Sequence, residues 1–307
     1  MAMDKNLVAF LVVAETGNLT EAAKRLGLAQ PSLTKRLKLL EDEYGTRLFD
    51  RQPRGMFLTP IGRELLDHAK RIEQRYVQAR EAIEAEKSNR LDVLRVGAGP
   101  LFRRAFLVPA FERLRQEHPE TRLEIRADVH LQNLPHLRHG ELDIVFGALA
   151  SDIDEEDIDT VEIVSAHLGA LASVDHPLHR KDRVSAGDLA GIPWVLYSND
   201  AETTAMVRGF FVRNALNPPE FAVTTSSYEF GLDLVATGKF IMPAPMELDP
   251  NLSALGMRSL PLADPIDSFL AGAYVRRSSL SYPVVRRLLD LVCQMASRHA
   301  PPPDRQG

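Results

Sequence analysis

The chain has 307 residues, 45% of them hydrophobic, and a formal net charge of −5, which is enough length and apolar content for a soluble globular protein of two or three domains. Its single cysteine, Cys293, allows no disulfide within the chain and excludes the usual Cys-rich zinc sites. No stretch approaches the roughly 18 apolar residues of a membrane span and the N-terminus lacks a secretory pattern, so a cytoplasmic location without membrane contact is expected.

The charge is unevenly placed. Residues 1–90 hold 16 Lys plus Arg against 13 Asp plus Glu, whereas residues 91–307 hold 21 against 29. Residues 24–38 carry Lys24, Arg25, Lys35, Arg36 and Lys38 with no acid. A basic patch of this kind attracts phosphate whatever the distant half carries, because screening limits the interaction to roughly 10 Å in ordinary salt.

In chain order, Leu7, Phe10, Leu11 and Ala14 at helical spacing predict a first helix over 5–16, which the segment TGN ends. Thr20 is placed to cap a short second helix over 21–26, which Gly27 stops. A third helix is expected from Gln30 to Tyr44, with Pro31 in its first turn and Leu33, Leu37 and Leu40 on its buried side. Helix, short Gly-containing turn, helix is the helix-turn-helix pattern. The polar face of the third helix joins Gln30, Ser32, Thr34, Lys35, Arg36 and Lys38, combining phosphate donors with side chains that reach base edges. A helix face turned only to solvent ordinarily mixes charge signs at i,i+4. The segment RLFDRQPRGMFLT (47–59) reads as a β-wing, two strands around a turn flanked by Arg51 and Arg54. Thr59 and Pro60 then open a long helix whose apolar stripe, Ile61, Leu65, Ala69, Ile72, Tyr76, Ala79 and Ile83, is expected to pack in a dimer. Packing of that stripe on its own domain is the plainer alternative.

These motifs, AAxxLxxxQPxLTxxLxxLE, GxxLFxR and LTxxG as they stand between residues 22 and 62, resemble the N-terminal winged helix-turn-helix of the LysR-type transcriptional regulators. The resemblance implies Thr20, Ser32 and Thr59 near phosphates, and Gln30, Pro31, Thr34 and Arg36 at base edges. Lys35, Arg51 and Arg54 would support them on the backbone and in the minor groove. It further implies double-stranded DNA with an interrupted inverted repeat as partner, a homodimer through the linker helix, a homotetramer as the working form, and a contact with RNA polymerase. One residue departs from the pattern: Ala29 stands where the family has Ser or Thr, so the third helix is expected to lack a side-chain cap.

Beyond residue 91 apolar strands alternate with helices. VLRVGAG (93–99), RLEIRA (122–127) and LDIVFG (142–147) are strands with helices near 105–117 and 131–139 between them. After an acidic loop at 151–159 come strands VEIV (161–164), LGALAS, WVLYS, FAVTT, FIMPA and SFLAGAYVRR (268–277), with helices near 202–214 and 227–237 and a last helix over 282–298. The fold class expected is α/β: an N-terminal all-α winged helix-turn-helix over 1–60, a linker helix over 60–90, and an effector-binding region over 91–300. The resemblance implies that this region is two Rossmann-like lobes like a periplasmic binding protein, one at about 91–163 plus 267–300 and the other at about 164–266. A flexible tail is expected at 301–307.

Ligands of such sheets sit beyond the C-terminal ends of the strands. The loop residues there are Gly99, Pro100, Leu101 and Phe102; Val129 and His130; Ser198 and Asn199; and Ser226, Ser227 and Tyr228. His130 is placed to donate to an anionic effector or to titrate near neutrality, a surface or capping role being the plainer reading. Phe102 and Tyr228 would sandwich a ring or simply pack in the core. A small organic effector, an organic acid, is the expectation. His130, His136 and His139, or HPLHRKD at 176–182, lack the carboxylate or cysteine that would complete a metal set. No dinucleotide loop, P-loop or G-x-S-x-G elbow is present, so neither cofactor, metal nor catalytic residue is expected. The competing class is a cytoplasmic small-molecule-binding or catalytic α/β module whose N-terminal region only dimerises.

Overall fold

The computed structural model describes residues 3–52, 55–88, 91–150, 157–197 and 200–299. The roles expected for Arg54, Ser198 and Asn199, and the tail 301–307, fall outside these residues, as does the side chain of Arg51. The chain forms two compact units, residues 1–87 and 88–307.

The first unit begins with α1 (Lys5–Thr16), which Asp4 caps by accepting from the Asn6 and Leu7 amides, and which ends on Gly17 in the left-handed conformation. Helix α2 spans Leu19–Arg25 and starts two residues earlier than Thr20 as its cap suggests. Its cap is Asn18, whose side chain accepts from the amides of Thr20 and Glu21, and a shorter threonine inside the first turn cannot compete with that geometry. Helix α3 spans Gln30–Tyr44, with Ala29 at its N-cap and no side-chain hydrogen bond there. Strands β1 (Phe49–Gln52) and β2 (Gly55–Leu58) pair antiparallel as the wing. Helix α4 (Pro60–Ser88) follows. Phe10, Leu33, Leu37, Leu48 and Ala69 form the center of this unit's core.

Two side chains lock the wing to the helices. The Glu41 carboxylate accepts from the amides of Leu48 and Phe49, so this acid of α3 holds the entry to β1. The Thr59 hydroxyl donates to the Arg47 carbonyl and accepts from the Gly62 amide, joining β2 to the first turn of α4. Gly62 itself lies so close to β1 that a Cβ there would stand 2.1 Å from the Leu48 carbonyl oxygen. Gly62→Ala is therefore expected to lower the stability of this unit by about 1–3 kcal/mol, read as an earlier loss of α-helical circular dichroism on heating. An unchanged melting point would show that the wing shifts freely.

The second unit carries the α/β lobes. The parallel strands β3 (Val93–Ala98), β4 (Arg122–Ala127) and β5 (Ile144–Ala148) lie in the order β4-β3-β5. Strand β6 is a single element of 16 residues, Ile158–Ser173, where the sequence suggests two strands. Nothing between Val164 and Leu168 terminates extended backbone, so one strand passes from the first lobe into the second. Strands β7 (Trp194–Tyr197) and β8 (Phe221–Thr225) pair parallel, and a bridge from Trp194 to Ile241 sets β7 beside β9 (Met242–Pro245). Strand β9 and β10 (Met257–Ser259) pair with the far half of β6. Strand β11 (Asp267–Arg276) runs antiparallel to β6 along its length and pairs β5 at its end. The β6–β11 register shifts between Ala271 and Gly272, and there a Cβ on Gly272 would stand 2.0 Å from the Val161 carbonyl oxygen. Glycine is what permits this bulge in the pair of strands shared by both lobes.

The helices are α5 (Val108–Glu117), α6 (His130–Arg138), α7 (Ala201–Arg213), α8 (Tyr228–Ala236) and α9 (Pro283–His299). Helical structure ahead of α5 begins already at Pro100 and passes through one π-turn, Arg103–Leu107. Pro100 presets the backbone for a first turn, and Pro109 has no N–H to return to Ala105 in an α register. Half of the expected loop GAGPLF, Pro100–Phe102, is thus helix, and Gly97 and Ala98 still belong to β3. Among the described residues no helix is long and apolar enough to cross a membrane.

Candidate nucleic-acid interface and ligand cavity

Helix α3 divides its residues by face. Leu33, Leu37 and Leu40 are buried against α1 and α2, while Gln30, Pro31, Ser32, Lys35 and Lys38 are exposed and Thr34 and Arg36 half-buried. Arg25 of α2 pairs with Glu15 at 2.7 Å, but Lys35, Arg36 and Lys38 make no hydrogen bond or ion pair among the described residues. A patch whose charges are left unneutralised by the fold is the electrostatic form of a phosphate-binding face. The exposed Thr20 lies in the first turn of α2 with its hydroxyl clear of the cap, whereas the Thr59 hydroxyl is already engaged on both sides.

The stripe on α4 divides. Leu65 and Ala69 are buried in the core of the first unit with Leu66 packed beside them, as the plainer alternative has it. Ile61, Ile72 and Ile83 are each more than half exposed, whereas Tyr76 of the same stripe is half-buried.

The second unit holds a cleft between its lobes, lined by residues of both. Of the residues named from sequence, Gly99, Pro100, Leu101, Phe102, Val129, His130 and Tyr228 line it. Ser226 and Ser227 do not: both are exposed, and the Ser227 hydroxyl caps α8 by accepting from the Phe230 amide. A strand end marks where a loop begins but not which of its residues turns inward. The sequence reading also missed Asp200, Glu202, Thr203 and Met206, which enter from the first two turns of α7. The signal was present, since Asp200 with Thr203 is a helix start, and helix starts after strands face such clefts. Leu168, Pro243, Pro245 and Phe269 reach the wall from β6, β9 and β11, which only the tertiary arrangement brings together.

The polar groups of the cleft are few. Asp200 accepts from the Thr203 amide at 2.9 Å and from its hydroxyl at 2.7 Å. His130, on the first lobe, is 4% exposed and its Nε2 stands 3.4 Å from Glu202 Oε2 on the second. Its ring stacks on Tyr274 at 6.2 Å. The Tyr228 hydroxyl is buried without a hydrogen-bond partner, and burial raises its pKa so that it remains a phenol. Phe102 packs on Phe106 and Phe146, so its ring belongs to the core as well as to the wall.

Burial lowers the pKa of His130 below its ordinary 6.5, against a smaller opposing pull from the Asp200 carboxylate. Unfolding exposes the ring and restores the ordinary value. Below about pH 6.5 the unfolded chain therefore binds more protons than the folded one, and stability falls with pH until the folded ring also protonates. Burial shifts His176 the same way. The melting temperature is expected to drop between pH 7.5 and 5.5 and to drop less in His130→Gln; identical slopes for the two proteins would refute the assignment.

A helix-turn-helix with an unneutralised basic face, followed in the same chain by a two-lobed sensor with a cleft, defines a DNA-binding regulator that responds to a small molecule. The family model for the bacterial regulatory helix-turn-helix protein, lysR family, matches residues 5–63, and that for the LysR substrate binding domain matches residues 88–296. The chain belongs to the LysR family of transcriptional regulators. Among its relatives are the HTH-type transcriptional regulator GbpR of Azospirillum brasilense, 26% identical over 76% of this chain and 68% of that protein, and the SDS degradation transcriptional activation protein of a Pseudomonas strain, 32% identical over 60% and 61%. The structure of CbnR, a LysR family regulator, is similar with a TM-score of 0.68 at 19% identity, covering 96% of this chain and 99% of that one. CbnR complexed with its target DNA matches with the same score over 97% and 100%. These structural likenesses carry the fold. The family is one of regulators and not enzymes, and the catalytic-module reading finds no support.

Proposed function

We infer that the protein binds an interrupted inverted repeat in double-stranded DNA as a dimer, and that a small organic effector in the interlobe cleft sets its transcriptional output. The observation that carries this reading is the basic, unpaired face of α3 in a chain that also holds the cleft. Gln30, Pro31, Thr34 and Arg36 are assigned to base edges. Thr20, Ser32 and Lys35 are assigned to the backbone, with Arg51 and Arg54 of the wing beside them. Thr59 holds β2 to α4 and is left with a structural role ahead of a phosphate contact.

Ile61, Ile72 and Ile83 supply the dimer seam, because an apolar stripe along one helix is covered most simply by the same stripe of a second copy. Two such dimers make the working tetramer, and RNA polymerase is the partner through which its output is read. The effector acts only if it binds one arrangement of the lobes better than another. Gly99, Pro100, Leu101, Phe102, Val129, His130 and Tyr228 form its site together with Asp200, Glu202 and Thr203. The test is nuclease footprinting on DNA upstream of the protein's own gene: two protected half-sites about one helical turn apart are expected. A fragment of residues 1–90 is expected to be a dimer by light scattering, and a monomer refutes the seam.

A further inference from the structure

The walls of the cleft decide the charge of what it holds. Two carboxylates, Asp200 and Glu202, enter it from α7, and neither lysine nor arginine is among its lining residues. Arg103 and Arg104 lie nearby but are turned to Glu229, at 3.3 and 4.0 Å, with Arg104 over the Tyr228 ring. The N-terminus of α7 would attract an anion, yet Asp200 already fills it by accepting from the Thr203 amide. An incoming carboxylate would thus meet two like charges and no cation among the lining residues to repay the lost hydration.

Two buried polar atoms of the cleft lack a partner, whereas the Tyr197 hydroxyl donates to Asp128. His130 Nε2 has no hydrogen-bond partner, although Glu202 Oε2 stands 3.4 Å from it, and the Tyr228 hydroxyl has none either. Both residues are 4% exposed and both line the cleft. Buried polar atoms of this kind are ordinarily satisfied, so two of them facing one cleft mark places where a ligand atom belongs. A neutral imidazole protonated at Nδ1 presents Nε2 as an acceptor. Beside the Glu202 carboxylate it forms an acceptor pair that suits N–H donors.

We propose that the cleft takes a small organic cation, an amine carried on an aromatic or apolar body, and not the organic acid expected from sequence. Its ammonium group lies between Glu202 and His130 and so ties the two lobes together, with Asp200 adding negative potential. Phe102, Tyr197, Tyr228 and Phe269 supply apolar and aromatic wall for the body, and their rings favour a cation nearby. The Tyr228 hydroxyl meets a second polar atom of the ligand. This assignment rests on the cleft being the effector site.

The experiment is thermal unfolding of the full-length protein at pH 7.5 with millimolar benzylamine and phenethylamine, set against benzoate, phenylacetate and benzyl alcohol. The amines are expected to raise the melting temperature in a concentration-dependent way. Glu202→Gln, which keeps the shape of a half-exposed side chain, is expected to weaken amine binding roughly tenfold or more. Asp200→Asn is expected to weaken it less. Greater stabilisation by the carboxylates or the alcohol, or an amine response unchanged in Glu202→Gln, overturns the charge assignment. Met206→Trp, which fills the cleft, separates the two readings: a carboxylate response that this variant abolishes leaves the cleft as effector site and removes only the cation. No response to any probe counts against both.

Discussion

Asp143→Ala is expected to lower the stability of the α/β unit by about 3–5 kcal/mol, the largest single effect outside its apolar core. Asp143 is 2% exposed and lies at the start of β5. One of its oxygens accepts from the Arg95 amide at 2.8 Å, and the other accepts from Arg276 at 2.7 Å and from the Ser279 hydroxyl at 3.2 Å. Removing the carboxylate leaves the Arg276 guanidinium, itself 5% exposed, as a buried charge without its counter-ion, its hydrogen bond to the Leu142 carbonyl oxygen remaining. Urea unfolding followed by the fluorescence of Trp194, the only tryptophan and fully buried, reads the loss directly. The double variant Asp143→Ala with Arg276→Leu is expected to recover part of it, because the uncompensated charge is then gone. No recovery would mean that the hydrogen bonds to Arg95 and Ser279, and not the ion pair, carry the effect.

Gln30→Ala and Arg36→Ala are each expected to cost about 1–3 kcal/mol of binding to the specific site, roughly five- to 150-fold in affinity, with little change on random duplex. Lys35→Ala is expected to weaken binding to both and to reduce the salt slope by about one. The contrast follows from the face that α3 presents. All three side chains are unpaired in the fold, so none of these substitutions removes a hydrogen bond or ion pair among the described residues. Mobility-shift titrations at two salt concentrations separate the two kinds of contact. Equal losses on specific and random DNA for all three variants would remove the base-reading assignment.

Much of the first unit is legible along the chain because its signals are local. Pro31 and the Leu33, Leu37, Leu40 spacing set α3, and the missing cap at Ala29 shows directly as a helix start without a side-chain hydrogen bond. The start of α2 was misplaced for a local reason too: Asn18 and Thr20 both suit a cap, and only the backbone path chooses between them. On α4, by contrast, one apolar stripe serves two purposes. Its spacing shows that Leu65, Ala69, Ile72 and Ile83 share a face, but not that the core of the unit reaches Ala69 and stops.

The sensor shows the same division at longer range. Strand and helix alternation, and therefore the α/β class, follow from periodicities of a few residues, as do the loop residues Gly99 to Phe102 and His130. The unbroken run of β6, the bulge at Gly272 and the approach of β9 to β6 depend on residues about 70–120 positions apart in sequence. Those contacts carry Pro243, Pro245 and Phe269 into the cleft. The cleft's charge was likewise decided late. The chain as written contains Asp200, Glu202, Arg103 and Arg104 within reach of the same strand ends, and neither sign predominates. Folding turns the arginines to Glu229 and the two carboxylates inward. The sequence by itself determined which segments form helices and strands and that one helix carries an acid-free basic face, since these depend on neighbours along the chain. The tertiary structure alone decided what the cleft presents to a ligand, since electrostatic surroundings are set by distance in space.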